Sequence, residues 1–549
     1  MQRPPSPARE VFSSDQPARL TGSMLLLGGL SLSIGWGIRG NFGHEYGAMI
    51  PGALAAMAVV LVSGREDWRR RVAYFGFFGA IGWSFGGSIS YMQVIAYTHS
   101  GHLSSVIYGF ACLFVIGFLW GAMGGAGTAL PACLDRRRLT ELFGPLIAVF
   151  IAWTLQDIAM ALGRVDEGAH RHESWWYWYD TDWVAATLAI PAVLIYAVVR
   201  GRLCTGTRLV LYSAIGWWAA FAFFLFVNEV VLRNTPYQFR MTPPRGDNWA
   251  GATGMTIGIL VFLLRNGLGP AALATLISGF IGGLGFSGAT LIKLLAMKTG
   301  WQTNWHSVLE QTYGFINGIG VAVAMGVLAS RTERVGDEPP ERRWTEVFSG
   351  GFVLLGITYV NLVKNVENYI EQKPPAIPAV MYGLHAFWWF NIGYLALAIA
   401  VVWLMVRHLR RPLPLIPTSW LGRGQWLYIV FLWWMVIGNL MRAIPPFNPQ
   451  RLITEGVIHM NAVLCTLLIV LRAPDSRSAP RSPLTRYTRA IGRAAWIGIL
   501  GMIVSVAIET GITRLAYGNQ RAPHAGLHIR FGPNATVTKT KPKPGQPHP

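Results

Sequence analysis

Apolar residues along this chain gather in continuous runs separated by short polar segments, without strict apolar–polar alternation. The runs lie at 21–38, 47–63, 72–92, 104–133, 142–162, 183–199, 209–231, 250–264, 271–291, 305–330, 346–364, 382–406, 425–441, 453–471 and 494–513. An apolar stretch of about 20 residues matches the hydrocarbon thickness of a bilayer when coiled as a helix. Continuous runs do not fit the alternating pattern of a membrane β-barrel. Backbone groups in hydrocarbon must also be paired within the segment, which again selects helices. The pattern predicts an all-α polytopic integral membrane protein of about fifteen transmembrane helices.

Charges sit at the ends of the runs. Arg65, Arg69, Arg70 and Arg71 follow the second run, and Arg136, Arg137 and Arg138 the fourth. Arg200 and Arg202 follow the sixth, and Arg331, Arg334, Arg342 and Arg343 the tenth. Arg407, Arg410 and Arg411 follow the twelfth, and Arg472, Arg477 and Arg481 the fourteenth; after the eighth stands Arg265 alone. The positive-inside rule then places the N-terminus in the cytoplasm, with a bacterial cytoplasmic membrane as the expected location. One opposite loop carries Asp166, Glu167, Glu173, Asp180 and Asp182 around Trp175, Trp176, Tyr177, Trp178 and Tyr179. Such a cluster is either an interfacial aromatic belt or a sugar-stacking surface.

Several motifs recur in register. RGNFGHEYGAMIPGAL at 39–54 parallels RGDNWAGATGMTIGIL at 245–260, and GWSFGGS at 82–88 parallels GLGFSGA at 283–289. VIYGF at 106–110 matches QTYGF at 311–315, and LTELFG at 139–144 matches WTEVFS at 344–349. An even number of spans per unit preserves orientation, so two parallel six-helix repeats are expected, followed by three C-terminal helices. The implied divisions are a cytoplasmic polar tail 1–20, membrane units 21–200 and 201–411, a three-helix segment 412–513 and a disordered basic tail 514–549. This six-plus-six plan resembles that of the major facilitator transporters, and GREDWRRR at 64–71 is similar to that family's acidic-basic loop motif. It lacks the motif's later glycine, and no residue role is carried over from the resemblance.

Composition agrees with a bilayer as the solvent. The 549 residues are 52% hydrophobic and 13% charged. A net charge of +20 could signal nucleic acid, but the arginines are placed by topology, so no nucleic-acid partner is expected. Cys112, Cys133, Cys204 and Cys465 form no CxxC, which argues against a disulfide framework or zinc site. HExxH is absent, GAMGGAG at 121–127 follows no strand, and no Walker motif occurs. No catalytic residue, metal or cofactor is assigned.

The break at Trp36–Gly52 is where candidate chemistry concentrates. Ionisable groups at membrane depth cost roughly 2.5–3.5 kcal/mol on insertion scales, so each needs a partner or water. Arg39, His44 and Glu45 form the leading cluster: either a solute or coupling site, or an interfacial loop with Arg39 snorkelling. Arg245 is its counterpart in the second unit. Gln156, Asp157, Glu229, Glu310 and Asn361 are further candidates for binding or coupling, with Gln156 and Asn361 at matching repeat positions. Lys293, Asn228, Lys364, Asn365 and the helical pair Glu455 and His459 stand beside them. Glycine pairs at 86–87, 124–125 and 282–283 admit two readings, close helix packing or local unwinding.

The function this implies is a secondary transporter, with or without proton coupling, for a polar or anionic small solute, its partners being the lipid bilayer and that solute. An external membrane-embedded transferase acting on a lipid-linked substrate, or a non-catalytic assembly subunit, is the alternative.

Overall fold

The computed structural model describes residues 14–43, 45–87, 89, 91–162, 181–239, 248–336, 343–410, 422–443, 449–471, 477–478, 480, 483–522 and 531–532. Of these, 81% are helical. In chain order the helices are α1 (Gly22–Arg39), α2 (Glu45–Leu61), α3 (Glu66–Arg69), α4 (Val72–Gly87), α5 (Met92–Thr98), α6 (Leu103–Cys133) and α7 (Arg136–Glu141). Then come α8 (Phe143–Leu162), α9 (Thr181–Arg200), α10 (Thr205–Phe226), α11 (Asn248–Arg265), α12 (Gly269–Met297) and α13 (Trp305–Ala329). Next are α14 (Arg343–Gly351), α15 (Thr358–Leu362), α16 (Lys364–Glu371) and α17 (Ala386–Arg410). The last three are α18 (Arg423–Ala443), α19 (Pro449–Leu471) and α20 (Thr488–Tyr517). Among the described residues, strands are limited to four short pieces; the first, Ser14–Pro17, pairs in parallel with Arg477–Ser478.

Among the described residues, eleven helical segments are long and apolar enough to cross a membrane. The set excludes α1, α2, α4 and α11, although α2 is apolar and merely short. The protein is therefore an all-α chain of membrane-spanning character. Its outer surface agrees: Leu155, Val198, Phe223, Leu395, Leu467 and Leu500 are all exposed. Lipid offers such side chains an environment that water does not.

Glycines hold the centre together. In lipid, apolar burial does not drive helices together, so close backbone approach must supply the attraction. A Cβ on Gly318 of α13 would lie 2.2 Å from the Gly28 carbonyl oxygen of α1. Gly52 of α2 and Gly79 of α4 meet in the same way at 2.4 Å, as do Gly117 of α6 and Gly282 of α12. Gly124, Gly125, Gly282 and Gly283 all lie inside unbroken helices against neighbouring groups, so packing is their role. Gly86 and Gly87 differ, because α4 ends there.

Arg65, Arg71, Arg136 and Arg423 gather at one end of the bundle. Buried Arg65 donates to the carbonyls of Ala329 (3.1 Å) and Thr332 (3.0 Å), capping α13. Arg71 does the same for α6 through Pro131 (3.0 Å) and Leu134 (2.7 Å). Terminal carbonyls carry the negative end of the helix dipole, so a guanidinium there satisfies orphan acceptors and complements the charge. Arg136 and Arg423 converge on Glu346, at 3.7 and 2.8 Å. Thus α6 and α13, the helices carrying the two YGF motifs, end at the same face and run in the same direction. Tyr108 stacks on Phe531 with ring centroids 3.9 Å apart, whereas Tyr313 lies among Trp36, Trp120 and Phe286.

Candidate functional site

At the opposite face α1 stops after Arg39. Asn41 and Phe42 turn back by donating to the Ile38 and Arg39 carbonyls, each at 3.0 Å. Gly43 then takes φ +96°, a left-handed conformation that excludes most side chains. The chain re-enters as α2 so close to α1 that a Cβ on Gly47 would lie 2.8 Å from the Arg39 carbonyl oxygen.

Arg39 turns inward and is 2% exposed. Its Nη1 donates to Glu310 Oε1 of α13 at 3.2 Å, and its Nη2 to the Gly87 carbonyl at 3.0 Å. That carbonyl is available because α4 ends at Gly87. Glu310 also accepts a 2.6 Å hydrogen bond from the Tyr91 hydroxyl. His306 lies one turn before Glu310, with Nε2 3.3 Å from the Tyr91 oxygen and 3.7 Å from the carboxylate. The His306 side chain is 38% exposed against 3% for Glu310, so it links the buried pair to the outside. The Arg39 guanidinium carbon stands 4.9 Å from the Trp36 ring centroid, 5.7 Å from Tyr91 and 5.5 Å from Trp120. A buried ion pair repays its desolvation only when further groups satisfy both ions, as the carbonyl, the phenol and the ring faces do here.

A second polar layer clasps the same turn. Asn41 Nδ2 donates to Asn439 Oδ1 at 2.5 Å, and Asn439 in turn donates to Glu455. Arg451 reaches Asn41 Oδ1 at 2.6 Å and Glu455 at 3.5 Å. Lys364 Nζ donates to the Phe42 carbonyl at 2.6 Å, and Arg442 to the Lys364 carbonyl at 2.8 Å. Among the described residues neither Lys364 nor Arg442 has a carboxylate within ion-pair distance. The turn is thus held by α13, α16, α18 and α19, with two cations bonded to carbonyls rather than to carboxylates.

The candidates named from sequence are distributed as follows. Arg39 and Glu310 are bonded to each other. Glu45 is half-buried in the first turn of α2, an electrostatic neighbour of Tyr46 and Lys364. Exposed Asp157 acts on the same Tyr46. Asn361 is fully buried and donates to the carbonyls of Tyr46 (3.0 Å) and Ile357 (2.8 Å). Gln156, its repeat counterpart, is half-buried with Nε2 3.8 Å from Met160 Sδ. Glu229 is exposed in the π-helical turn Val227–Val231 that closes α10. His44, Arg245 and most of the acidic-aromatic loop, 163–180, lie outside the described residues. Tyr91, His306, Asn41, Asn439 and Arg442 were not singled out from sequence. The four-residue spacing of His306 and Glu310, which puts both on one helical face, was a readable signal. Among the described residues no three His, Cys, Asp or Glu side chains group closely enough to hold a metal.

No protein-family model matches this chain, and no curated protein matches it.

Proposed function

We propose that this chain is a multi-pass secondary transporter, coupled to protons, for a polar or anionic small solute. The observation that carries this reading is the buried Arg39–Glu310 pair with Tyr91 and partly exposed His306, set where α1 breaks. A carboxylate paired to an arginine in a low-dielectric site can exchange that partner for a proton or a competing anion. Lys364 and Arg442 are hydrogen-bonded to carbonyls rather than paired to carboxylates, with Glu45 and Glu367 acting on them at longer range, and these donors beside the turn suit a polar or anionic solute.

In the proposed topology α1, α2, α4 and α11 also cross the membrane, and α14 to α16 form one pass, for fifteen passes in all. The N-terminus is cytoplasmic, on the side of Arg65, Arg71 and Arg136. Two six-helix units in the same orientation then rock about the Arg39–Glu310 centre. Like pairings support the repeat: α1 packs on α2 as α10 packs on α11, and α4 on α6 as α12 on α13. An engineered cysteine at Glu167 reacting with an impermeant maleimide only after cell lysis would refute the orientation.

The functional test is uptake of a metabolite mixture by proteoliposomes, with and without an imposed proton gradient. Gradient-dependent uptake of an anionic solute that is lost in Glu310→Gln is expected. Absence of uptake of any solute, at verified reconstitution, overturns the transporter reading and leaves the transferase or assembly role.

A further inference from the structure

Among the described residues, two buried carboxyls lie outside the candidate site: Asp67, paired to Arg65, and Glu509, which has no cationic partner. Glu509 lies on α20, a helix whose outer side exposes Trp496, Leu500, Ile503 and Ile508. Its inner side carries Gly498, Glu509, Thr510 and Thr513 against α12 and α6. Glu509 is 4% exposed. At 1.5 Å per residue it sits about 10 Å from the middle of α20, within the half-thickness of a hydrocarbon core.

Its hydrogen bonding is lopsided. Ser505 Oγ donates to Oε1 at 2.8 Å, and the Ser287 hydroxyl of α12 is within reach. Among the described residues Oε2 is buried with no partner, as are Thr510 Oγ1 and Thr513 Oγ1. The titratable groups on the packed elements at this end are Lys293 and Lys298 on α12, Tyr108 and Cys112 on α6, and Arg514 and Tyr517 on α20. Lys298 donates to the Ala516 carbonyl, Tyr517 to Leu294 and Arg514 to Gly101, and none of the six acts on Glu509. An ionised carboxylate with one bare oxygen at this depth has only neutral serine hydroxyls, and no cation, to offset its desolvation. A carboxylic acid fits: Oε1 is the carbonyl that accepts from Ser505, and Oε2 carries the proton.

We propose that Glu509 is a reversible proton-binding site in the lipid-facing layer, separate from the Arg39–Glu310 centre. Thr510 and Thr513, whose hydroxyls are likewise buried without a partner among the described residues, extend this polar side of α20 toward its Tyr517 end. The proposal requires membrane embedding and does not depend on the transporter reading.

The test is modification of the full-length protein in native membranes by lipophilic dicyclohexylcarbodiimide, which adds to protonated carboxyls, with the adduct located by mass spectrometry. An adduct on Glu509 is expected at about pH 6 and neutral pH, where an ordinary glutamate is ionised. Its yield should fall about tenfold or more towards pH 9, since buried glutamates titrate up to about pH 8–9. Loss of the adduct in a monodisperse Glu509→Gln variant confirms the assignment, and the wild-type pH profile stands without it. No adduct on Glu509, a yield independent of pH, or equal labelling by a water-soluble carbodiimide overturns the proposal.

Discussion

Breaking the Arg39–Glu310 pair one side at a time should expose an asymmetry. Removing one partner of a buried ion pair costs about 3–5 kcal/mol, because the other charge stays desolvated. The two survivors differ here. In Glu310→Gln the guanidinium keeps the Gly87 carbonyl at 3.0 Å and the faces of Trp36, Tyr91 and Trp120. A desolvated ring face contributes about 2 kcal/mol, so this variant should fall at or below the lower end of the range. In Arg39→Met the carboxylate keeps the Tyr91 hydroxyl and partly exposed His306, and the loss should approach the upper end. The double variant should recover about 2 kcal/mol or more relative to the sum of the singles. Equilibrium unfolding in mixed micelles, with the four proteins compared as a cycle, measures all three quantities. Additive effects, or single variants within about 0.5 kcal/mol of wild type, would refute the account of the pair.

Two glycines should respond differently to the same substitution. A Cβ on Gly40 would lie 2.6 Å from Glu310 Oε2, the movable end of a side chain, so Gly40→Ala should cost under about 1 kcal/mol yet reduce proton-coupled uptake about tenfold. A Cβ on Gly318 would strike backbone, 2.2 Å from the Gly28 oxygen and 2.7 Å from the Gly29 Cα, so Gly318→Ala should cost about 1–3 kcal/mol in an unfolding titration. Burial pushes the Asp67 carboxyl up, but the Arg65 hydrogen bonds and charge and the Val335 amide outweigh it and hold it below the usual range. Its stabilisation is therefore fully present above about pH 4 and is lost as pH falls through the lowered value. Acid titration of unfolding should show this loss in wild type and not in Asp67→Asn.

The helices were legible because hydrocarbon imposes a length and forbids unpaired backbone, and both constraints show in composition. The break after Arg39 was legible for the converse reason: Arg39, Gly40 and Gly43 have no place in a continuous lipid-facing helix. What the break touches was hidden. Arg39 and Glu310 are 271 residues apart, and Asn41 and Arg451 410 apart. Nothing local in either segment names the other. Tyr91 and Asn439 read as ordinary members of apolar runs until the fold places them beside a charge. Glu509 escaped notice because a carboxyl near a helix end reads as exposed until its neighbours are known. Glu229 shows the reverse, a charge in an apolar run that the π-helical turn leaves exposed.

The separation of Arg39 from Glu310 has a consequence for biogenesis. Ribosomes add about 5–20 residues per second, so roughly 15–50 s pass between the synthesis of Arg39 and that of its counter-ion. Arg451 and Asn439, which complete the clasp on the same turn, come later still. In the proposed topology, where α1 crosses the membrane, the first hairpin holds an unneutralised guanidinium at a helix end during that interval. The insertion machinery must shelter it, or α1 must wait near the interface and settle only after α13 has entered. Truncated nascent chains ending before Glu310 should consequently remain crosslinkable to insertase components through α1, and chains extended past α13 should be released.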